Sequence, residues 1–105
     1  MRDAEIIKKL INHIERINYY CGQDIEKSLQ DLKTLEACIF NLSQMGELVK
    51  RISADFEETH SDIPWRKLYG LRNKIVHDYE GINKTLILEI IRDDLPDLLL
   101  KLKQL

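Results

Sequence analysis

Proline occurs only twice and glycine four times in a chain of 105 residues. No stretch alternates apolar and polar residues over a useful length, so strands are not expected. Cysteine is equally scarce: Cys21 and Cys38 stand 17 positions apart with no CxxC pair. That excludes both a disulfide framework and a zinc signature, and both thiols read as half-buried residues on helices. No apolar run approaches the roughly 20 residues that a membrane span needs. The opening "MRDAEIIKKL" carries charges through its first turns and no small-residue cleavage site, which argues against a secretory signal and for the cytoplasm. Clustered carboxylates and histidine pairs with ligand spacing are also missing, so neither a metal nor another cofactor is expected. His13 and His60 stand alone and read as surface residues.

What remains is 44% apolar and 32% charged, the composition of a soluble globular protein. One domain over 1–105 is expected, burying roughly 65% of its unfolded surface. The net charge of −2 is small, but it is unevenly placed. Asp55, Glu57, Glu58 and Asp62 form an acidic stretch, and the window 63–77 holds Arg66, Lys67, Arg72 and Lys74 without an acid. That basic window is the place to look for contacts to RNA or nucleotide; otherwise it is a solvated helix face.

The dominant period is helical. Ile7, Leu10, Ile14, Ile17 and Cys21 form one stripe, with Asp3 as its expected cap and Gly22 as its end. A second stripe reads Leu32, Leu35, Ile39, Leu42, Gly46 and Val49, widened by Cys38, Met45, Leu48 and Ile52; Asp24 or Asp31 could cap it. The third helix is expected to start at "SDIPW", capped by Ser61 or Asp62, with Pro64 in its first turn and Trp65 as a core anchor. It should run through Leu68, Leu71, Ile75 and Val76 towards Gly81. Asn83 can cap a fourth helix carrying Leu88, Ile91, Leu95, Leu98, Leu102 and Leu105, which Pro96 should kink. Four helices with short connections predict an all-α, antiparallel four-helix bundle.

Gly46 is costly on an apolar helical stripe, by about 1 kcal/mol relative to alanine. Its presence predicts a second helix backbone in close approach. Glu47, next to it, is either a solvated acid or a group that orients a basic side chain.

The stretch "GLRNKIVHDY" at 70–79 is chemically the richest. On one helix Asn73 and His77 are i,i+4 neighbours, so the amide could orient the imidazole. Arg72 and His77 would lie about 140° apart around the axis and about 7.5 Å along it. A single ligand reaches both more easily where two copies of the helix meet, and a two-fold dimer creates such a cleft. A histidine near neutral pKa and a bidentate guanidinium suit cleavage of an RNA phosphodiester, in which the 2′-hydroxyl is the nucleophile. The plainer alternative is a histidine that favours a helix C-terminus.

The spacing Arg72-x-x-x-x-His77-x-Tyr79, with Asn73 after the arginine, resembles the signature of the HEPN superfamily, and most of all its HepT branch. "GEL" at 46–48, "IPW" at 63–65 and "DDLPDLL" at 93–99 fall in the order of that family. The resemblance implies a homodimeric helical toxin, a metal-independent endoribonuclease paired with a minimal nucleotidyltransferase (MNT) antitoxin. Arg72 would bind and polarise the phosphate, His77 would act as acid and base, and Asn73 would support them. Glu47 becomes a candidate to support the site from behind. Tyr79 occupies the position that such antitoxins modify with adenylate or contact. A HEPN dimer that cleaves nothing and binds the nucleotidyltransferase, or a nucleotide, is the alternative.

Overall fold

The computed structural model describes residues 2–75 and 81–105. Its helices are α1 (Arg2–Cys21), α2 (Ile25–Ser28), α3 (Leu32–Val49), α4 (Ala54–Thr59), α5 (Trp65–Tyr69), α6 (Leu71–Ile75), α7 (Lys84–Glu89) and α8 (Leu95–Lys103). A π-helical stretch, Ile90–Asp94, joins the last two. No strand occurs among the described residues. The protein is all-α, a four-helix bundle in which α1 and α3 are the long rods. The pair α5–α6 is the third rod, and α7, the π stretch and α8 make the fourth. The Cα envelope measures 39 × 31 × 19 Å, about two helix diameters thick.

The amphipathic stripes explain the assembly. Ile6, Ile7, Leu10, Ile14, Ile17 and Cys21 bury one face of α1. Its main partner is α3, with α8 on another side. Three cross-links show the antiparallel register: Asp3 to Ser53, His13 to Asn41 and Cys21 to Cys38. Gly22 ends α1 with φ at +61°, and its N–H bonds Asn18 O at 3.0 Å. A left-handed residue is cheapest as glycine.

Several expectations need correcting. Helix α1 already includes Arg2, so Asp3 does not cap it; its carboxylate instead accepts from the Ser53 N–H at 3.1 Å and Oγ at 2.8 Å. Ser53 itself caps the short α4 within the acidic stretch. Both suggested caps of the second helix are used, because Asp24 caps α2 and Asp31 caps α3. Leu32 is 61% exposed, so the buried stripe of α3 starts at Leu35 and runs through Cys38, Leu42, Met45 and Val49. The two thiols are more deeply buried than expected, 3.6 Å apart, and the bond to Cys21 together with burial pushes the Cys38 thiol up.

The third helix is broken. Pro64 occupies the N-cap position with no side-chain cap, so neither Ser61 nor Asp62 serves, and Gly70 separates α5 from α6. Trp65 is buried, with its Nε1–H on His60 O at 3.0 Å. Neither histidine is a plain surface residue. The His60 ring stacks at 4.4 Å on Phe56, and half-buried His13 donates through Nδ1 to Asn41 Oδ1 at 2.7 Å. Asn41 is 3% exposed, and its amide N–H bonds Ala37 O, which leaves its oxygen to face the imidazole.

In the fourth rod Asn83 caps α7 through the Leu86 N–H at 3.0 Å. Pro96 sits in the first turn of α8, immediately after the π-helical stretch, where the Leu95 N–H reaches back to Ile90 O. Proline cannot donate, and its ring would press on the carbonyl four residues earlier. The wider π turn accommodates that defect. The extra residue also shifts the stripe: Ile87 and Ile90 are buried, Leu88 only half so, and Leu105 is exposed.

Gly46 fulfils its expectation within the chain. A Cβ built there would stand 3.0 Å from Leu68 O, a backbone atom of α5. The close approach therefore belongs to the α3–α5 contact, and it gives no support to a dimer. Alanine at this position gains about 1 kcal/mol of helix propensity but must push a packed carbonyl aside, and overpacking costs about 1–3 kcal/mol. Gly46→Ala is expected to lose about 1 kcal/mol net and Gly46→Val distinctly more, read as lowered urea midpoints.

Candidate functional site

The short helix α6 follows from two apolar residues. Leu71 and Ile75, one turn apart, are buried against α3, next to the Gly46 notch. That leaves Arg72, Asn73 and Lys74 exposed together. The Gly70 break and the Gly46 contact fix where α6 starts, and the Asn83 N–H ties its far end by bonding Ile75 O at 3.0 Å. His77 and Tyr79 lie outside the described residues, so the structure places one half of the Arg–His pattern.

Glu47 is exposed on α3, and its carboxylate holds Lys50 Nζ at 2.7 Å. That hydrogen bond is the main reason its pKa lies below the usual carboxylate range; the positive charge of Arg72 adds to the effect. Glu47 and Arg72 therefore share one field while the direct ion pair goes to Lys50. An exposed pair of this kind orients charge and adds little stability.

The four bases of the basic window are divided between two short helices. Arg66 and Lys67 belong to α5, whereas Arg72 and Lys74 belong to α6, beyond the Gly70 break. Lys67 lines a cleft against the π stretch and α8, in company with Asp62, Asp93, Asp94 and Asp97. Asp93 and Asp97 are paired with Arg92 and with Lys101, which lines the same cleft, and the excess of acid there opposes a polyanion. Arg72, Asn73 and Lys74 are thus the contiguous polar set on the candidate face. No group of three or more His, Cys, Asp or Glu side chains that could hold a metal is present among the described residues. No described helix is long and apolar enough to cross a membrane.

Behind this face stands a contact that sequence reasoning missed. The Tyr69 hydroxyl donates to Glu57 Oε1 at 2.5 Å, joining α5 to α4. Spacing gave no signal for it, because the two residues lie on different helices. The buried polar pair His13–Asn41 was missed for the same reason. A weak clue existed in Asn41, which falls three residues after Cys38 and directly beside Leu42 on the apolar stripe.

A helical bundle that presents an arginine-led polar face on a short interrupted rod is the class that fold and site define. The chain belongs to the family described as ribonuclease HepT-like, whose model matches residues 10–105. One relative, from Caldanaerobacter subterraneus subsp. tengcongensis, is named as a candidate RNase; it is 34% identical over 92 residues, covering 88% of this chain and 80% of the relative. Another, from Thermococcus cleftensis, is named "Probable ribonuclease HepT" and is 36% identical over 80 residues, 76% of this chain and 73% of its own. A third, from Methanocaldococcus jannaschii, also named as a candidate RNase, is 33% identical over 88 residues, covering 84% of this chain and 73% of that one. No solved structure matches the chain.

The Tyr69–Glu57 bond also makes a pH prediction. Hydrogen bonding to Glu57, then burial, raises the Tyr69 pKa above its ordinary value near 10. The phenol is therefore favoured neutral in the folded state. Its contribution is complete below the unfolded pKa and disappears as pH rises through the higher folded value. Urea midpoints of the parent should fall more steeply above about pH 10 than those of Tyr69→Phe; identical slopes would remove the bond from the account.

Proposed function

We propose that this chain is the toxin half of a HepT–MNT pair, a metal-independent endoribonuclease that cuts RNA at a cleft shared by two copies. The observation that supports this most is the coincidence of HepT-like family membership with an exposed Arg72–Asn73 pair at the head of the Arg-x4-His pattern. Arg72 grips the scissile phosphate through two parallel N–H groups and stabilises charge as it builds. His77 takes the proton from the 2′-hydroxyl and returns one to the leaving 5′-oxygen. Asn73 supports the imidazole, Lys74 adds charge to the strand, and Glu47 tunes Arg72 from α3. Lys67 is the least suited of the RNA-contact candidates, given its carboxylate neighbours, and Arg66 is next to it.

The two-fold dimer rests on helix geometry: an arginine and a histidine five residues apart on one helix diverge by about 140°. The partner nucleotidyltransferase silences the site by covering it or by adding adenylate to Tyr79. A phosphate there competes for Arg72, and the nucleoside obstructs entry.

Sedimentation at micromolar concentration should report twice the chain mass; a monomer that still cleaves would remove the shared cleft. Purified protein incubated with RNA should leave 2′,3′-cyclic phosphate ends, with or without chelator. Arg72→Ala and His77→Ala should each lower the rate by about 10²- to 10⁴-fold, and Arg72→Lys should also lose most activity, since a point charge cannot replace a planar fork. Activity that survives His77→Ala, or needs magnesium, overturns the mechanism. An inert parent leaves the non-cleaving binding module. Co-expression with an MNT protein should raise the mass of the parent by adenylate units and leave Tyr79→Phe unchanged.

A further inference from the structure

The outer face of α1 carries more chemistry than a solvated helix needs. Tyr19 is 84% exposed and Tyr20 39% exposed. Neither ring belongs to the core, and the two stand edge to face with centroids 6.0 Å apart. Each therefore offers a ring face to solvent at the end of a rigid 20-residue helix. One turn earlier Arg16 reaches the same surface, and Asn12, Glu15, Arg16, Tyr19 and Tyr20 line one open groove.

Charge follows the same line. Arg2, Lys9 and Arg16 recur every seven residues, so all three fall within a sector of about 40° on the helix, and all three are exposed. Glu5 lies between the first two and offsets the N-terminal part of the row. Glu15, the remaining acid near the tyrosines, is drawn towards Lys103 of α8, 3.4 Å away. The His13 Nδ1 is held by Asn41, which ties that ring to α3. The region from Lys9 to Tyr20 thus combines cations with two adjoining aromatic faces. Its position is separate from Arg72: α1 packs on α2, α3 and α8, whereas α6 packs on α3, α5 and α7.

We infer that this face of α1 is a docking surface for single-stranded RNA, distinct from the Arg72 face on α6. Unpaired bases stack on Tyr19 and Tyr20, while Lys9 and Arg16 hold flanking phosphates. Cations spaced along an aromatic platform suit a flexible strand, because every base has a ring face and none needs to be read by its edge. A duplex hides its bases and gains only the cations. This inference rests on the ribonuclease reading for its biological purpose, namely holding a long substrate while another part of it is cut.

The test uses the full chain carrying Arg72→Ala, so that bound RNA stays intact, and a fluorescein-labelled mixed-sequence oligoribonucleotide. Anisotropy should report binding of the single strand, with the matching duplex weaker. Tyr19→Ala should weaken single-strand binding roughly ten-fold, and Tyr19→Trp should preserve it. Arg16→Gln should reduce the salt slope by about 0.7. Parental affinity in the combined Tyr19→Ala, Tyr20→Leu variant overturns the inference, as does the absence of single-strand binding by the Arg72→Ala chain. A change from dimer to monomer in that combined variant also overturns it, since the patch then joins two protein copies. Cleavage assays separate the two readings. If the parent cuts RNA and the Tyr19 variants cut long and short strands at parental rates, the docking surface falls and the ribonuclease stands. If the parent cuts nothing yet binds through Tyr19, the docking surface stands and the ribonuclease falls.

Discussion

The contact between Gly46 and the Leu68 carbonyl sets the spacing of everything on the α6 side of the molecule. Any side chain at 46 would hold α5 away from α3. With hydrogen there, the two backbones close, Trp65 and Leu68 enter the core, and Leu71 and Ile75 follow one break later. Arg72 is exposed because its neighbours on α6 are committed inward. Its proximity to Glu47 has the same origin, since Glu47 is the next residue after the notch.

The contact between α3 and α1 is of a different kind. There α1 pairs along its whole length, tied at one end by Asp3 to Ser53 and at the other by the buried thiols. The buried amide of Asn41 is satisfied twice, by His13 and by Ala37 O, so it adds register without leaving an unpaired dipole. The bundle therefore carries two surfaces on different helices. One carries the arginine face of a HepT-like ribonuclease family member, and the other carries the tyrosine–cation face of α1. A bundle only two helices thick exposes both.

The fourth rod shows how a local defect becomes architecture. Pro96 denies one hydrogen bond, and the chain responds with a π turn at Ile90–Asp94. That turn places Asp93 and Asp94 in the cleft that Lys67 also lines, with Asp93 held by Arg92.

Periodicity in the sequence determined the four rods, the buried faces of α1 and α3, the Asn83 cap and the need for a backbone neighbour at Gly46. These are properties of one helix at a time, set by a repeat of 3.6 residues and by which backbone groups a helix end leaves unpaired. The order of "GEL", "IPW", "GLRNKIVHDY" and "DDLPDLL" likewise determined the family. Only the tertiary structure decided that Gly46 serves a neighbour in its own chain, that Gly70 divides the third rod, and that the stripe of the fourth rod shifts phase at its π turn. It alone paired Asn41 with His13 and Glu57 with Tyr69, and set Lys67 in one cleft with the aspartates. Each of those outcomes depends on what a second helix presents across the gap, and a one-dimensional pattern does not contain the identity of the group on the other side.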